Sequence, residues 1–158
     1  MKLVIQSESL TSVQIDQITQ LLTLCDWNKA QIDGQIHTLQ KFIKDKDCVV
    51  LLALEASNII GYASAQFYPW NRLGQIHGLA IQPLYRQRGI ASKLIGKIEA
   101  FIREKDARGL YADTPVNNTA GRLFYKNNHF LEAYIMPEYY DKGLDGITYL
   151  KLYSIYQK

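Results

Sequence analysis

The chain has 158 residues, a length that suits one core and leaves no room for a separate regulatory module. Hydrophobic residues at 47%, charged residues at 21% and aromatics at 11% match soluble globular chains, which excludes disorder and low-complexity repeats. A formal charge of +3 is too small an excess for binding driven by phosphate neutralisation, so nucleic acid is not an expected partner. No apolar run reaches the roughly 18 residues of a membrane span, and the opening MKLVIQSESL has no signal-peptide pattern. The expectation is a cytoplasmic protein with no membrane contact, forming a single domain over residues 1–158. Cys25 and Cys48 lie in apolar stretches without CxxC spacing and read as small core residues, and no histidine or cysteine spacing supports a metal site.

Lys2 to Gln6 suits a short first strand. Thr11 and Gln14 form a capping-box pattern, in which each side chain satisfies the other's free backbone N–H at a helix start. The apolar series Ile15, Ile18, Leu21, Leu22 and Cys25 then recurs at helical spacing, and Ile32, Ile36, Leu39 and Ile43 repeat it after Trp27 and Asn28. From Cys48 the period changes. VVLLALEA and IIGYASAQFYPW flank a polar break at Ser57-Asn58 as two strands of a hairpin, and Pro69 ends the second. Gln75 to Ile81 alternates as a third run that closes before Pro83, which has no N–H for a ladder.

YRQRGIA leads into a helix with Leu94, Ile95, Ile98, Phe101 and Ile102 on its apolar side, and Gly109 is expected to stop it. LYADT is a short strand before Pro115, and Asn117 to Asn127 is a further helix opened by Asn-Asn-Thr. Phe130 to Met136 and Ile147 to Tyr153 are the last strands, with Pro137 to Gly146 between them as the longest stretch without regular structure. The order is β α α β β β α β α β β, an α/β (α+β) pattern.

The most informative stretch is IHGLAIQPLYRQRGIASKLI, where a strand, a short loop and a helix follow without a break. A helix start carries unpaired N–H groups and the positive end of the macrodipole, and a loop with Gly89 and Ala91 lets an anion approach the main chain closely. Arg86 and Arg88 add positive charge beside it. The bland alternative is a plain strand-to-helix connection with solvated arginines.

Arg86-x-x-Gly89-x-Ala91 resembles the coenzyme A signature of the GNAT superfamily of acyl-CoA N-acyltransferases, and NNTAGRLFYKNNHF resembles that family's second motif, with His129 in place of the usual glycine. The resemblance implies a mixed, mostly antiparallel central sheet flanked by about four helices, and acetyl-CoA as co-substrate without a metal. It implies coenzyme contacts from Leu79, Ala80, Ile81, Arg86, Gln87, Arg88, Gly89, Ile90, Ala91 and Asn117. Tyr125 would sit beside the departing thiolate, and the strand Gln75 to Ile81 would splay from its neighbour to expose main-chain groups to the pantetheine arm.

Acyl transfer to nitrogen needs a neutral amine, a polarised carbonyl and a proton for the leaving thiolate. Gln75 and His77 are two apart on a strand and share a face. Some relatives carry a glutamate base where this chain has Gln75, which cannot accept a proton; His77 corresponds to a histidine that arylalkylamine N-acetyltransferases use as base. A hydrogen-bonded structural histidine is the alternative. The resemblance implies that the early helices and the last β connection shape the acceptor side, for which Trp27, Tyr68, Trp70, Tyr139 and Tyr140 are candidates together with Gln75; ordinary packing is the alternative for the aromatic residues. Pro137-Glu138-Tyr139-Tyr140-x-x-Gly143-x-Asp145 also resembles a segment of protein N-terminal acetyltransferases. The glutamate those enzymes carry on the strand before the asparagine motif falls at Ala112, with Asp113 next to it and on the opposite face. The expected acceptor is a small amine or polyamine, the alternatives being a peptide N-terminus or lysine, or a coenzyme-binding sensor without turnover. A homodimer through strands of the last third is a further possibility that the resemblance raises.

Overall fold

A computed structural model describes residues 1–153; residues 154–158, which the expected single domain includes, lie outside the described part. The elements are β1 (Lys2–Ile5), α1 (Ser12–Leu24), α2 (Lys29–Phe42), β2 (Cys48–Glu55), β3 (Asn58–Tyr68), β4 (Leu73–Ile81), a 3-10 turn (Pro83–Tyr85), α3 (Ile90–Glu104), β5 (Gly109–Pro115), α4 (Thr119–Asn127), β6 (Leu131–Asp141) and β7 (Leu144–Leu152). The seven strands form one sheet in the order β1-β2-β3-β4-β5-β7-β6, antiparallel throughout except between β4 and β5. Both the element order and the mostly antiparallel sheet agree with expectation.

Local chemistry sets the helix starts. Thr11 and Gln14 close the capping box on α1, and Asn28 and Gln31 close a second on α2. Each face of the sheet has its own core. Val50, Leu52, Tyr62 and Ala80 meet Ile18, Leu22 and Leu39 of α1 and α2, whereas Val49, Leu51, Ala53, Ala63 and Ala65 meet the α3 residues Leu94, Ile95, Ile98 and Ile102. This explains why β2 is an unbroken apolar run, since its odd and even residues are both covered. Five buried α3 side chains at about 1.5–3 kcal/mol each anchor the helix and hold the loop before it in place.

Two expectations are corrected. Gly109 does not stop α3, which ends at Glu104 with Lys105 as its C-cap; Gly109 opens β5 instead. A Cβ on Gly109 would sit 2.5 Å from the Lys151 carbonyl oxygen, so the close approach of two backbones is what needs glycine there. Pro137 to Gly146 is not an irregular loop either, because β6 and β7 continue through it and join at Lys142-Gly143. Asp145 Oδ1 accepts from the Glu138 N–H (2.8 Å) and Glu138 Oε1 from the Gly143 N–H (2.8 Å), which stitches the hairpin across its kink.

Two irregularities shape the centre. β3 and β4 pair Ser64 with Gly78 but Ala65 with Ile76, so His77 is the extra residue of a β-bulge. The bulge reverses the facing. Ile76 packs in the α3 core, yet Ala80, also even, packs in the α1–α2 core, and a Cβ on Gly78 would lie 2.5 Å from Gln35 Nε2 of α2. The second irregularity is that β4 and β5 pair only from Leu73 to Ile76 against Gly109 to Ala112, beyond which the strands part in an open V.

Candidate active site

The loop between β4 and α3 holds two left-handed residues, Gln87 (φ 60°) and Gly89 (φ 75°), the second being the N-cap of α3 with no side-chain cap. The first intrahelical bond runs from the Lys93 N–H to the Gly89 oxygen (3.1 Å). The N–H groups of Ile90, Ala91 and Ser92 therefore have no partner among the described residues, and a Cβ on Gly89 would meet nothing within 4 Å. Bare amides over open space at a helix start form an anion cradle. Ile90 itself is buried in the α3 core and Ala91 packs beside it, which fixes the cradle to the helix.

The arginines do not simply flank this cradle. Arg86 turns back, donating from Nε to the Ile81 oxygen (3.2 Å) and from a terminal nitrogen to Cys25 Sγ (3.3 Å), so it braces the loop against the end of β4. Arg88 lies over the Tyr85 ring, 5.0 Å from its centroid. Cys25 is consequently half-buried and bonded rather than a plain core residue, while burial of Cys48 pushes its thiol up to about 12.

Main-chain groups of β4 face the V. Gln82 N–H bonds the Ile60 oxygen on β3, and because ladder bonds alternate, Leu79 and Ile81 direct theirs to the open side. Ala80 points its main chain at β3 and its side chain into the α1–α2 core, away from the open side. On the far arm of the V, Asn118 caps α4, with Oδ1 accepting from the Gly121 N–H (3.1 Å) and Nδ2 donating to Thr114 Oγ1 (2.9 Å). Asn117, the expected contact, precedes the cap with its side chain exposed.

Tyr125 is buried on α4. Its ring stacks on Tyr149 (centroids 5.5 Å, 21°) and meets Phe124 and Phe130 edge-on. Arg122 Nε donates to the Tyr149 hydroxyl (3.1 Å) and its other nitrogens reach the Val116 oxygen and Glu132, so the ring behind Tyr125 is itself held. Burial, reinforced by the charge of Asp113, pushes the Tyr125 phenol well above its usual range, and it stays protonated at neutral pH. His129 takes φ 68°, the turn geometry for which glycine is the ordinary choice.

On the α1–α2 side of the sheet, Gln75 Oε1 accepts from the hydroxyls of Tyr68 (2.9 Å) and Tyr111 (3.1 Å), and the Tyr68 hydroxyl also meets His77 Nε2 at 3.2 Å. Phe42 of α2 packs edge-on against His77 (5.0 Å). Burial lowers the His77 pKa below 6.5 despite the opposing charge of Asp113, so the imidazole is neutral at physiological pH. A cavity of about 190 Å³ adjoins this network, lined by Gln75, Tyr111, Asp113, Tyr134, Met136, Tyr139, Gly146 and Thr148. Asp113 accepts a hydrogen bond from Thr148, and its charge is felt at His77, Tyr111, Tyr125, Tyr139 and Tyr140 alike. It is the common electrostatic centre. Burial together with such neighbours pushes Tyr111 up to about 12.

Of the residues expected on the acceptor side, Gln75 and Tyr139 line the cavity and Tyr140 packs edge-on against Tyr139 (4.9 Å). Trp27 does not line it, packing instead against the α1–α2 core, and Trp70 stands 83% exposed on the β3–β4 turn. Tyr68, Tyr111 and Asp113 carry more of the network than their sequence context indicated. Ala112 faces the α3 core, opposite Asp113, as alternation requires. No cluster of side chains suited to a metal, and no helix long and apolar enough to cross a membrane, occurs among the described residues.

Residues 15–130 match the acetyltransferase (GNAT) family. Over 121 residues the chain is 26% identical to N-alpha-acetyltransferase 30 of Xenopus laevis, an overlap of 75% of this chain and 44% of that protein. The chain spans about half the length of the curated relatives it matches. Its fold is similar to that of an acetyltransferase of the GNAT family from Desulfovibrio desulfuricans, with a TM-score of 0.83 at 16% identity, covering 96% of this chain and 99% of that one. An aminoglycoside 6′-N-acetyltransferase solved with coenzyme A is also similar, with a TM-score of 0.77 at 13% identity, covering 96% and 97%.

Proposed function

The chain belongs to the acetyltransferase (GNAT) family, and from that premise we propose that it moves an acetyl group from acetyl-CoA to a primary amine by direct attack in a ternary complex. The observation that carries this reading is that β4, which parts from β5 in an open V, leads through one short loop to three bare amides at the start of α3. The fit to a diphosphate tail is specific in kind: the amides have no competing partner, and Gly89 leaves the space above them free of a Cβ. The coenzyme would supply the activated thioester. The protein's part is to orient it, to polarise its carbonyl through the free N–H groups of Leu79 and Ile81, and to manage two protons.

On the amine side, neutral His77 accepts the proton that nitrogen loses as the N–C bond forms. On the sulfur side, the protonated Tyr125 hydroxyl donates to the thiolate as the C–S bond breaks. Asp113 draws the incoming ammonium into the cavity by charge, and the ammonium gives one proton to solvent before the neutral amine attacks, with tyrosines around it supplying contact area.

For the acceptor, the reading we adopt is the α-amine of a peptide. Similarity to N-alpha-acetyltransferase 30 supports it, as does the hairpin that presents Tyr139 and Tyr140 through the Gly143 turn and the Asp145 bond. A second reading, a small amine or polyamine, draws support from the carboxylate and the modest size of the cavity. A panel of free peptides, amino-blocked peptides with and without lysine, polyamines, aminoglycosides and arylalkylamines, followed by thiol release, tests both. Peptides should turn over only with a free terminus, and Asp113→Asn should raise KM for the amine more than for acetyl-CoA. Stabilisation by acetyl-CoA with no turnover on any amine would refute the transferase and leave a binding module.

A further inference from the structure

We propose that Tyr68 is a positioning residue, one whose hydroxyl fixes the tautomer of His77 and couples it to the orientation of the Gln75 amide. The proposal rests on the reading of His77 as base for its kinetic consequence, but not for its structural content.

Tyr68 is the last residue of β3, opposite Leu73, and its side chain runs along the α1–α2 face to reach two residues of β4 at once. Alternation puts His77 on the same face as Gln75, and the bulge reverses only the strand beyond it. A phenol has one proton to give. Gln75 Oε1 lies 2.9 Å from the Tyr68 oxygen and 3.1 Å from that of Tyr111, so both phenols donate to it and its two lone pairs are filled. The Tyr68 oxygen is then an acceptor, and the contact at 3.2 Å is completed by a proton on His77 Nε2. Nδ1 is left as the basic nitrogen. Were Tyr68 to donate to Nε2 instead, its oxygen would face Gln75 Oε1 with no proton between them, and the amide would have to turn over. Amide orientation and imidazole tautomer are thus one linked choice, made through a single hydroxyl.

The groups that act on the imidazole are Tyr68 from β3 and Asp113 from β5, while α2 contributes the uncharged Phe42; Cys48 of β2 acts on Tyr68 in turn. None of these supplies another acceptor for Nε2–H among the hydrogen bonds of the described residues.

The test is the ring nitrogen spectrum of His77 by long-range proton–nitrogen NMR on the full chain, in wild type, Tyr68→Phe and Gln75→Glu, with pH–rate profiles alongside. Wild type should carry the proton on Nε2. In Tyr68→Phe the preference should be lost and kcat should fall about tenfold, the worth of one hydrogen bond, with KM for acetyl-CoA unchanged. Gln75→Glu, which can only accept, should keep the Nε2–H form and guards against a variant that misfolds. A proton on Nδ1 in wild type, or an unchanged tautomer in Tyr68→Phe, overturns the proposal. Loss of the base reading is a separate result: it appears as an acid limb of the pH–rate profile that survives in His77→Ala.

Discussion

Gly89→Ala separates the cost of backbone strain from the cost of a blocked cradle. At φ 75° an alanine is strained by about 1–2 kcal/mol, and since its Cβ would meet nothing within 4 Å there is no packing loss to add. For a domain of this size, 1 kcal/mol corresponds to roughly 2–4 °C in Tm. Gly143 is a matched control, because it has the same φ of 75° and equally open surroundings, but lies in the β6–β7 turn. The two alanine variants should therefore melt within a degree or two of each other.

Their affinities for acetyl-CoA should differ. The new Cβ at position 89 enters the open space at the start of α3 into which the diphosphate would have to fit, and holding a phosphate off one amide of Ile90, Ala91 or Ser92 forfeits a charge-assisted bond of about 1.5–3 kcal/mol. Binding should weaken by about 10- to 100-fold in Gly89→Ala and stay unchanged in Gly143→Ala, as read by titration calorimetry. Thermal shifts give a second measure. At about a hundred times Kd the ligand stabilises the wild type by about 2.7 kcal/mol, and a variant about thirtyfold weaker would gain less than about 1 kcal/mol at the same concentration. Equal affinities in the two variants would refute the diphosphate cradle, and with it the reading of the V as a coenzyme channel.

Tyr125→Phe should lower kcat at least about tenfold while leaving acetyl-CoA affinity and Tm nearly unchanged, since the ring contacts persist and the hydroxyl has no partner among the described residues; full activity at every pH would remove it as the acid. Gly109→Ala should destabilise by about 1–3 kcal/mol, as the Cβ lands 2.5 Å from a carbonyl oxygen in the paired strand, and a Tm within a degree of wild type would contradict the β5–β7 register. Burial depresses the His77 pKa in the folded chain below 6.5, so the unfolded chain binds the proton more readily. Stability is then fully present above about pH 6.5 and falls as pH drops through the folded value; denaturant titrations should show this slope in wild type and a flatter one in His77→Gln.

What could be read along the chain was whatever a few neighbouring residues decide together. The capping box of Thr11 and Gln14 closes within one helical turn, and the Arg86-x-x-Gly89-x-Ala91 loop is positioned by the strand and helix on either side of it. Features that need two distant strands were not legible. Gly74 and Gly78 look equivalent in an alternating run, yet a Cβ on the first would meet Ile102 of α3 and on the second Gln35 of α2, because the pairing with β3 absorbs His77 as an extra residue between them. Asp113 is similar. Alternation puts it opposite Ala112, but its role depends on the parallel pairing that sets Tyr111 against Gln75 and on β7, which brings Thr148 to its carboxylate from 35 residues away. Arg86 shows the converse: its motif position was legible, but its guanidinium is taken by the Ile81 oxygen five residues earlier and by Cys25, the second a contact that only the packing of α1 against β4 creates. The same division runs through the site, where the anion cradle lies on the one contiguous segment from β4 to α3 and the cavity beside Gln75 is lined from β4, β5, β6 and β7 together. On the acceptor reading proposed above, substitutions in the hairpin from Tyr139 to Gly146 should change KM for the amine while leaving acetyl-CoA affinity unchanged, and an equal loss of both in rate and titration measurements would contradict that separation.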